Sequence, residues 1–259
     1  MWLITACLML VLAAGLGCGD PETKTSTATR TDEAPPARTY STSPESTSEL
    51  LRDASQAVKA RTASNLGVHF SLQSTGAVGG QADGSRSEGD MVFPDKVQMV
   101  TRNYLTPEPV NTDVTVIDGK TYIRSEATAG VWKTGVSPSL PPDPQLITGY
   151  LDFARSSRNF GQESLVGGRK TYHVQVDVDM PLLATSLTRN TTDAVQLAEY
   201  EDMKTAVVTV DYWIDADDRL IYQMLVKSVN QPQGQNLDQN FSFSNWGEAI
   251  DIVRPCEAC

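Results

Sequence analysis

The sequence predicts an α+β fold built on a curved antiparallel sheet, and three observations predict it. Residues 206–228 read as two long strands joined by the acidic turn Asp215-Ala216-Asp217-Asp218, whose residues bond their own backbone and tolerate tight geometry. In the first arm Val208, Val210, Tyr212 and Ile214 fall on one face, because a strand sends alternate side chains to opposite sides. In the second arm Leu220, Tyr222, Met224 and Val226 share a face by the same count. Residues 170–178 alternate strictly, with Tyr172, Val174, Val176 and Val178 against His173, Gln175 and Asp177. Strand-like segments also follow one another through short turn signals, while helical spacing is confined to a few stretches, so neighbours pair as hairpins.

Taken in order, Ser46 and Glu49 have the spacing of a capping box. Behind them Leu50, Leu51, Ala54 and Val58 recur at helical spacing to about Arg61. Val68, Phe70 and Leu72 alternate in a strand, and residues 76–84 form a Gly-rich loop or hairpin tip. Residues 89–100 read as two strands broken at Pro94, which cannot donate to a ladder. Asp118-Gly119 joins residues 113–117 to 121–124 as a hairpin, and Trp132 closes the meander. After the loop 138–144, Asp143 caps and Pro144 starts a helix with the stripe Leu146, Ile147, Tyr150, Leu151 and Ala154. Residues 162–166, a Gly167-Gly168 turn and 170–178 form a hairpin, and a third helix starts at Met180. Residues 190–203 read equally as helix or loop. Phe241 and Phe243 alternate in a late strand, and 249–253 reads as a last short one. The sum is about ten strands and three helices in one domain.

The N-terminus is organised differently. Residues 2–17 are apolar and uncharged, shorter than the about 20 residues a spanning helix needs, and end in small residues before Cys18. They predict a signal peptide over 1–17. Gly15-Leu16-Gly17-Cys18 resembles a bacterial lipobox, which makes Cys18 the expected lipidation position. Gly15 stands where a lipobox usually has leucine, and no Lys or Arg precedes Lys24. Residues 19–47 are mostly Ser, Thr and Pro, with almost nothing to bury, so 18–47 is expected to be a lipidated cysteine followed by a disordered tether. Two acyl chains suffice for stable membrane attachment. The folded domain is expected over 48–255, followed by a CxxC tail at 256–259.

Composition narrows the chemistry. Asp and Glu number 32 against 21 Lys and Arg, a net charge of −11 with no basic cluster, which argues against a nucleic-acid partner. Cys256 and Cys259 lack the second pair of ligands that a tetrahedral metal site needs, so a local disulfide or thiol pair is expected and no metal. His69 and His173 each fall on the polar side of a strand, where a solvated surface role is expected. The Asp215 turn fails the spacing of a calcium loop and reads as a solvated turn. No nucleophile elbow, metalloprotease helix, phosphate loop or dinucleotide fingerprint is present, so neither an enzyme nor a cofactor is expected.

What stands out is the number of one-faced strands. Their apolar sides would line one side of a curved sheet, and three helices offer modest area in return. Two readings stay open. Helices that fill the concavity make a core; helices that cover part of it leave an apolar pocket suited to acyl chains. In the second case the candidate lining is Phe70, Leu72, Tyr150, Val174, Val176, Val210, Tyr212, Tyr222, Met224 and Phe243.

Several segments in a shared order resemble the LppX/LprA/LprF/LprG lipoproteins of mycobacteria and related bacteria. They are residues 49–60 with the strand at His69, residues 89–96 (GDMVFPDK), residues 114–132 with Ile117-Asp118-Gly119-Lys120-Thr121-Tyr122, residues 163–173 (ESLVGGRKTYH), and Trp213-Ile214-Asp215. The resemblance covers about residues 48–255. It implies a half-open β-barrel with helices across its concave face, as in the periplasmic lipoprotein carriers. It also implies an extracytoplasmic lipoprotein that binds the acyl chains of a lipid or glycolipid. Transport or display in the cell envelope would follow, with the anchor holding it at the outer face of the cytoplasmic membrane and an envelope transporter as a candidate partner. The competing expectation is an envelope interaction or sensor module with a filled core and no lipid ligand.

Overall fold

The computed structural model describes residues 38–63, 66–78, 81–93, 96–104, 111–117, 120–135, 144–165, 168–189, 194–230 and 234–256. The expected signal segment, Cys18, the turn Asp118-Gly119, Asp143 and Cys259 lie outside the described residues.

The chain enters the fold before its first helix. Helix α1 spans Pro44–Thr62, with Ser43 as N-cap accepting from Ser46 N and proline in the first turn. The cap is therefore Ser43, three residues earlier than the capping-box reading of Ser46. Leu50, Ala54 and Val58 are fully buried at helical spacing, and burial of a side chain the size of Leu50 or Val58 contributes about 1.5–3 kcal/mol relative to exposure. Among the described residues eleven strands follow: β1 Gly67–Val78, β2 Gln81–Val92, β3 Lys96–Asn103, β4 Asn111–Ile117, β5 Lys120–Arg124, β6 Lys133–Thr134, β7 Ala154–Ser164, β8 Lys170–Val178, β9 Val207–Asp215, β10 Ile221–Asn230 and β11 Gln235–Glu248. Between β6 and β7 lies α2 (Pro144–Asp152); between β8 and β9 lie α3 (Met180–Thr188) and α4 (Ala194–Met203). Asp179 caps α3 by accepting from Leu182 N. The 190–203 segment thus contains a helix.

All strands belong to one open sheet in the order β6-β5-β4-β3-β2-β1-β11-β10-β9-β8-β7. It consists of two meanders, β1–β6 and β7–β11, joined along the antiparallel pair β1/β11. That seam sets Phe70 opposite Phe243 and Leu72 opposite Phe241. Strands β6 and β7 are the two edges, so the barrel stays open. Helix α1 packs on α2, β7 and β11, α2 packs on β8, and α3 pairs with α4.

Several local readings change. Of the two readings of residues 76–84, the hairpin is the one found: β1 and β2 pair without a break from Gly67/Val92 to Val78/Gln81, and residues 79–80 lie outside the described residues. Residues 249–253 are not a strand, since β11 ends at Glu248. Strand β10 carries an irregularity between Ile221 and Gln223, so Ile221 lies opposite Ile214 and Met224 opposite Tyr212. A bulge inserts one residue and changes the phase of the alternation. Leu220, Tyr222 and Met224 therefore do not form one uninterrupted row. Cys256 is disulfide-bonded.

Candidate ligand-binding face

The inner face of the sheet is assembled by cross-strand register. Val174, Tyr212, Met224, Phe241 and Leu72 lie opposite one another across β8, β9, β10, β11 and β1. The next row toward one end runs Val176, Val210, Val226, Gln239 and Ser74. The expected lining residues Phe70, Leu72, Val174, Val176, Val210, Tyr212, Met224 and Phe243 all have 0–4% exposure and belong to one contiguous apolar cluster. Tyr150, on α2, is half-buried against the same cluster. Tyr212 reaches α2 directly, its hydroxyl donating to the Ile147 carbonyl at 3.2 Å. Burial pushes the Tyr212 phenol well above its ordinary pKa, and the nearby Tyr150 and Asp152 add to this.

Tyr222 also packs, partly buried, against the cluster, but it stands out of the row. The β10 bulge displaces it from the row, and its ring lies under the Arg169 guanidinium, 3.7 Å from the centroid. Its hydroxyl donates to Asp218 at 3.1 Å. Burial and the Asp218 charge push its pKa up to about 12. Alternation alone could not show this, because the bulge depends on the pairing with β9.

Sequence reasoning omitted the other wing of the face. Met91, Val97, Met99 and Val114 on β2, β3 and β4 are 0–2% exposed and join the same cluster. The alternation Val97, Met99, Thr101 was the available signal. Toward one end this wing turns from apolar to hydroxyl: Ser74, Ser85, Ser87 and Thr101 are buried, and Ser87 and Thr101 share a 2.8 Å hydrogen bond.

The other end is closed by residues 38–43, which the composition had assigned to the tether. Tyr40 is 5% exposed and meets Tyr172 edge-on, with centroids 5.5 Å apart. Its N–H donates to the Tyr172 hydroxyl (3.1 Å) and its own hydroxyl donates to Asp53 (2.5 Å). Arg219, at φ 64° in the β9–β10 turn and 3% exposed, donates through Nε to the Tyr40 hydroxyl and through Nη2 to the Arg38 carbonyl. Among the described residues its Nη1 has no hydrogen-bond partner. Asn159 holds the Ser41 carbonyl at 3.0 Å. One buried aromatic thus brings these residues into the folded body, a feature that a segment average dilutes.

Two outer-face expectations change as well. Asp215 is buried rather than solvated: it accepts from the N–H groups of Asp217 and Asp218 and pairs with Arg169 at 2.8 Å. Burial pushes its carboxyl up, but these N–H groups and the guanidinium outweigh it and hold the pKa below the usual value. His173 is stacked between Phe160 and Trp213, with Nε2 3.0 Å from Asp211, so it is part of an aromatic ladder rather than a free surface histidine.

Among solved structures, the chain is similar to LprF from Mycobacterium bovis at 16% identity and a TM-score of 0.50, covering 83% of this chain and 99% of that one. It also aligns with the lipoprotein LppX from Mycobacterium tuberculosis at 13% identity and a TM-score of 0.45, covering 79% and 98%. No family model and no curated protein matches the sequence. The likeness to LprF is one of fold: an open antiparallel half-barrel with few helices.

Proposed function

We propose that this chain is a cell-envelope lipoprotein, anchored through Cys18, whose half-barrel takes acyl chains of a lipid or glycolipid against its inner face. The observation that carries this reading is the row Val174, Tyr212, Met224, Phe241 and Leu72, an apolar band crossing five strands without a polar residue. Sharing a fold with LprF supports it. Each buried methylene would contribute about 0.8 kcal/mol, so affinity would grow with chain length. The residues involved would be Phe70, Leu72, Tyr150, Val174, Val176, Val210, Tyr212, Met224 and Phe243, together with Met91 and Met99 of the other wing. Release would follow movement of α1 and α2, which pack on the strands of that face.

A filled core is the second reading, favoured by one observation: the row residues are already buried to within a few per cent. Native mass spectrometry of the chain separates the two. A reproducible adduct of lipid mass, lost on denaturation, supports the carrier. A clean protein mass that takes up neither added phospholipid nor added glycolipid supports an interaction or sensor module.

A further inference from the structure

On the outer face of the sheet, register brings five polar residues into one row. Asn240, Gln73, Arg86, Arg102 and Asn111 lie opposite one another across β11, β1, β2, β3 and β4, and all are exposed. Two guanidinium groups are therefore adjacent, flanked on both sides by carboxamides, with no acid in the row. Strands lie about 4.8 Å apart, so two long side chains from neighbouring positions can converge on one point. Like charges directly opposite on paired strands destabilise a sheet. In a chain of net charge −11 such a pair would be expected to find a carboxylate. Among the described residues neither arginine forms an ion pair.

Among the described residues, two of the acids nearest in register have other partners. The adjoining row contains Glu88 and Asp113. Glu88 faces His69 at 3.5 Å, and Asp113 pairs with Arg124 at 2.7 Å. Asp238, opposite Thr75, has Lys227 opposite it on its other side. Arg86 also borders a depression of about 390 Å³, lined with it by Gln73, Ser74, Thr75, Gly84, Ser85 and Tyr104. Arg102 lies 5.7 Å over the ring of Tyr104, which lines that depression.

We propose that this row is a binding site for a phosphate-type oxyanion. Two planar donor forks with neutral amide and hydroxyl donors around them suit an anion with several acceptor oxygens, and they suit a single carboxylate less well. The two arginines stand on the face opposite the apolar row, so the proposal does not rest on what that row holds. Its ligand is either the phosphate of an anionic lipid headgroup or free phosphate, and the chemistry of recognition is the same.

The test uses the chain carrying Cys18→Ser, which removes the acylation position. Inorganic phosphate is titrated calorimetrically, and binding is measured to phosphatidylglycerol vesicles and to phosphatidylcholine vesicles. Saturable binding that weakens with salt is expected in at least one arm. Each of Arg86→Gln and Arg102→Gln should weaken it by about tenfold, with an unchanged circular dichroism spectrum. Selective binding to phosphatidylglycerol identifies a headgroup; binding to phosphate without vesicle binding identifies the free anion. Absence of saturable binding in all arms, or equal binding by the double variant, overturns the proposal.

Discussion

Replacing Tyr40 by Phe deletes one oxygen and tests whether residues 38–43 belong to the folded body. The ring stays, and so does its edge-on contact with Tyr172. Two hydrogen bonds go: the 2.5 Å bond to Asp53 and the 3.3 Å bond from Arg219 Nε. The ends differ in cost. The Asp53 side chain is 19% exposed, so water replaces part of what it loses. Arg219 is 3% exposed and its Nη1 has no partner among the described residues, so its Nε becomes a second unsatisfied donor on a buried cation. Hydrogen bonds to charged groups contribute about 1.5–3 kcal/mol each, and the longer one less, which puts the loss at about 2–4 kcal/mol. For a domain of this size that is a fall in Tm of about 4–16 °C. The control is Arg38→Met. The Arg38 side chain is 53% exposed and pairs with Glu49 and Asp53 at 3.2 Å, so its removal should cost under about 1 kcal/mol. Urea unfolding followed by tryptophan fluorescence measures both variants. If Tyr40→Phe lies within about 0.5 kcal/mol of the parent, or costs less than Arg38→Met, the reasoning fails, because the buried guanidinium would not depend on the hydroxyl.

Two further perturbations probe the sheet and its acidic turn. Arg169→Met should cost about 1–2 kcal/mol at neutral pH, discounted because the arginine is 43% exposed. The Asp215 pKa is depressed in the fold, so its stabilisation is present above the unfolded value near about 3.9 and is lost as pH falls through the folded value. The gap between parent and variant should therefore narrow between urea titrations at neutral pH and in strong acid; a constant gap would mean that the ion pair does not depress Asp215. At Gly89, opposite Met99, an added Cβ would lie 2.0 Å from the Gln98 carbonyl oxygen and 2.6 Å from Met99 Cα. Gly89→Ala should destabilise by about 1–3 kcal/mol or more, since backbone must move, and a neutral result in thermal unfolding would contradict the β2–β3 register.

Much of the architecture was legible because strand alternation and helical spacing are local properties of the chain. Val174, Val176, Val210 and Tyr212 could be assigned to one face from their own neighbours, and all four are fully buried there. The α1 stripe and the start of α3 at Met180 followed from the same short-range logic. Tertiary structure decided whatever depended on which strands meet. The β1/β11 seam joins segments more than 150 residues apart and sets the inner row in register. The bulge at Ile221 exists only in the pairing with β9, and it moved Tyr222 beneath Arg169. Tyr40 lies in a stretch whose composition has little to bury; its place was decided by Arg219, Asp53 and Tyr172, from three separate elements. Arg86 and Arg102 are 16 positions apart in an acidic chain, and neither attracts notice until register sets one opposite the other. Periodicity states which way a side chain points; only the closure of long loops, with its entropy offset by the whole core at once, states what it points at.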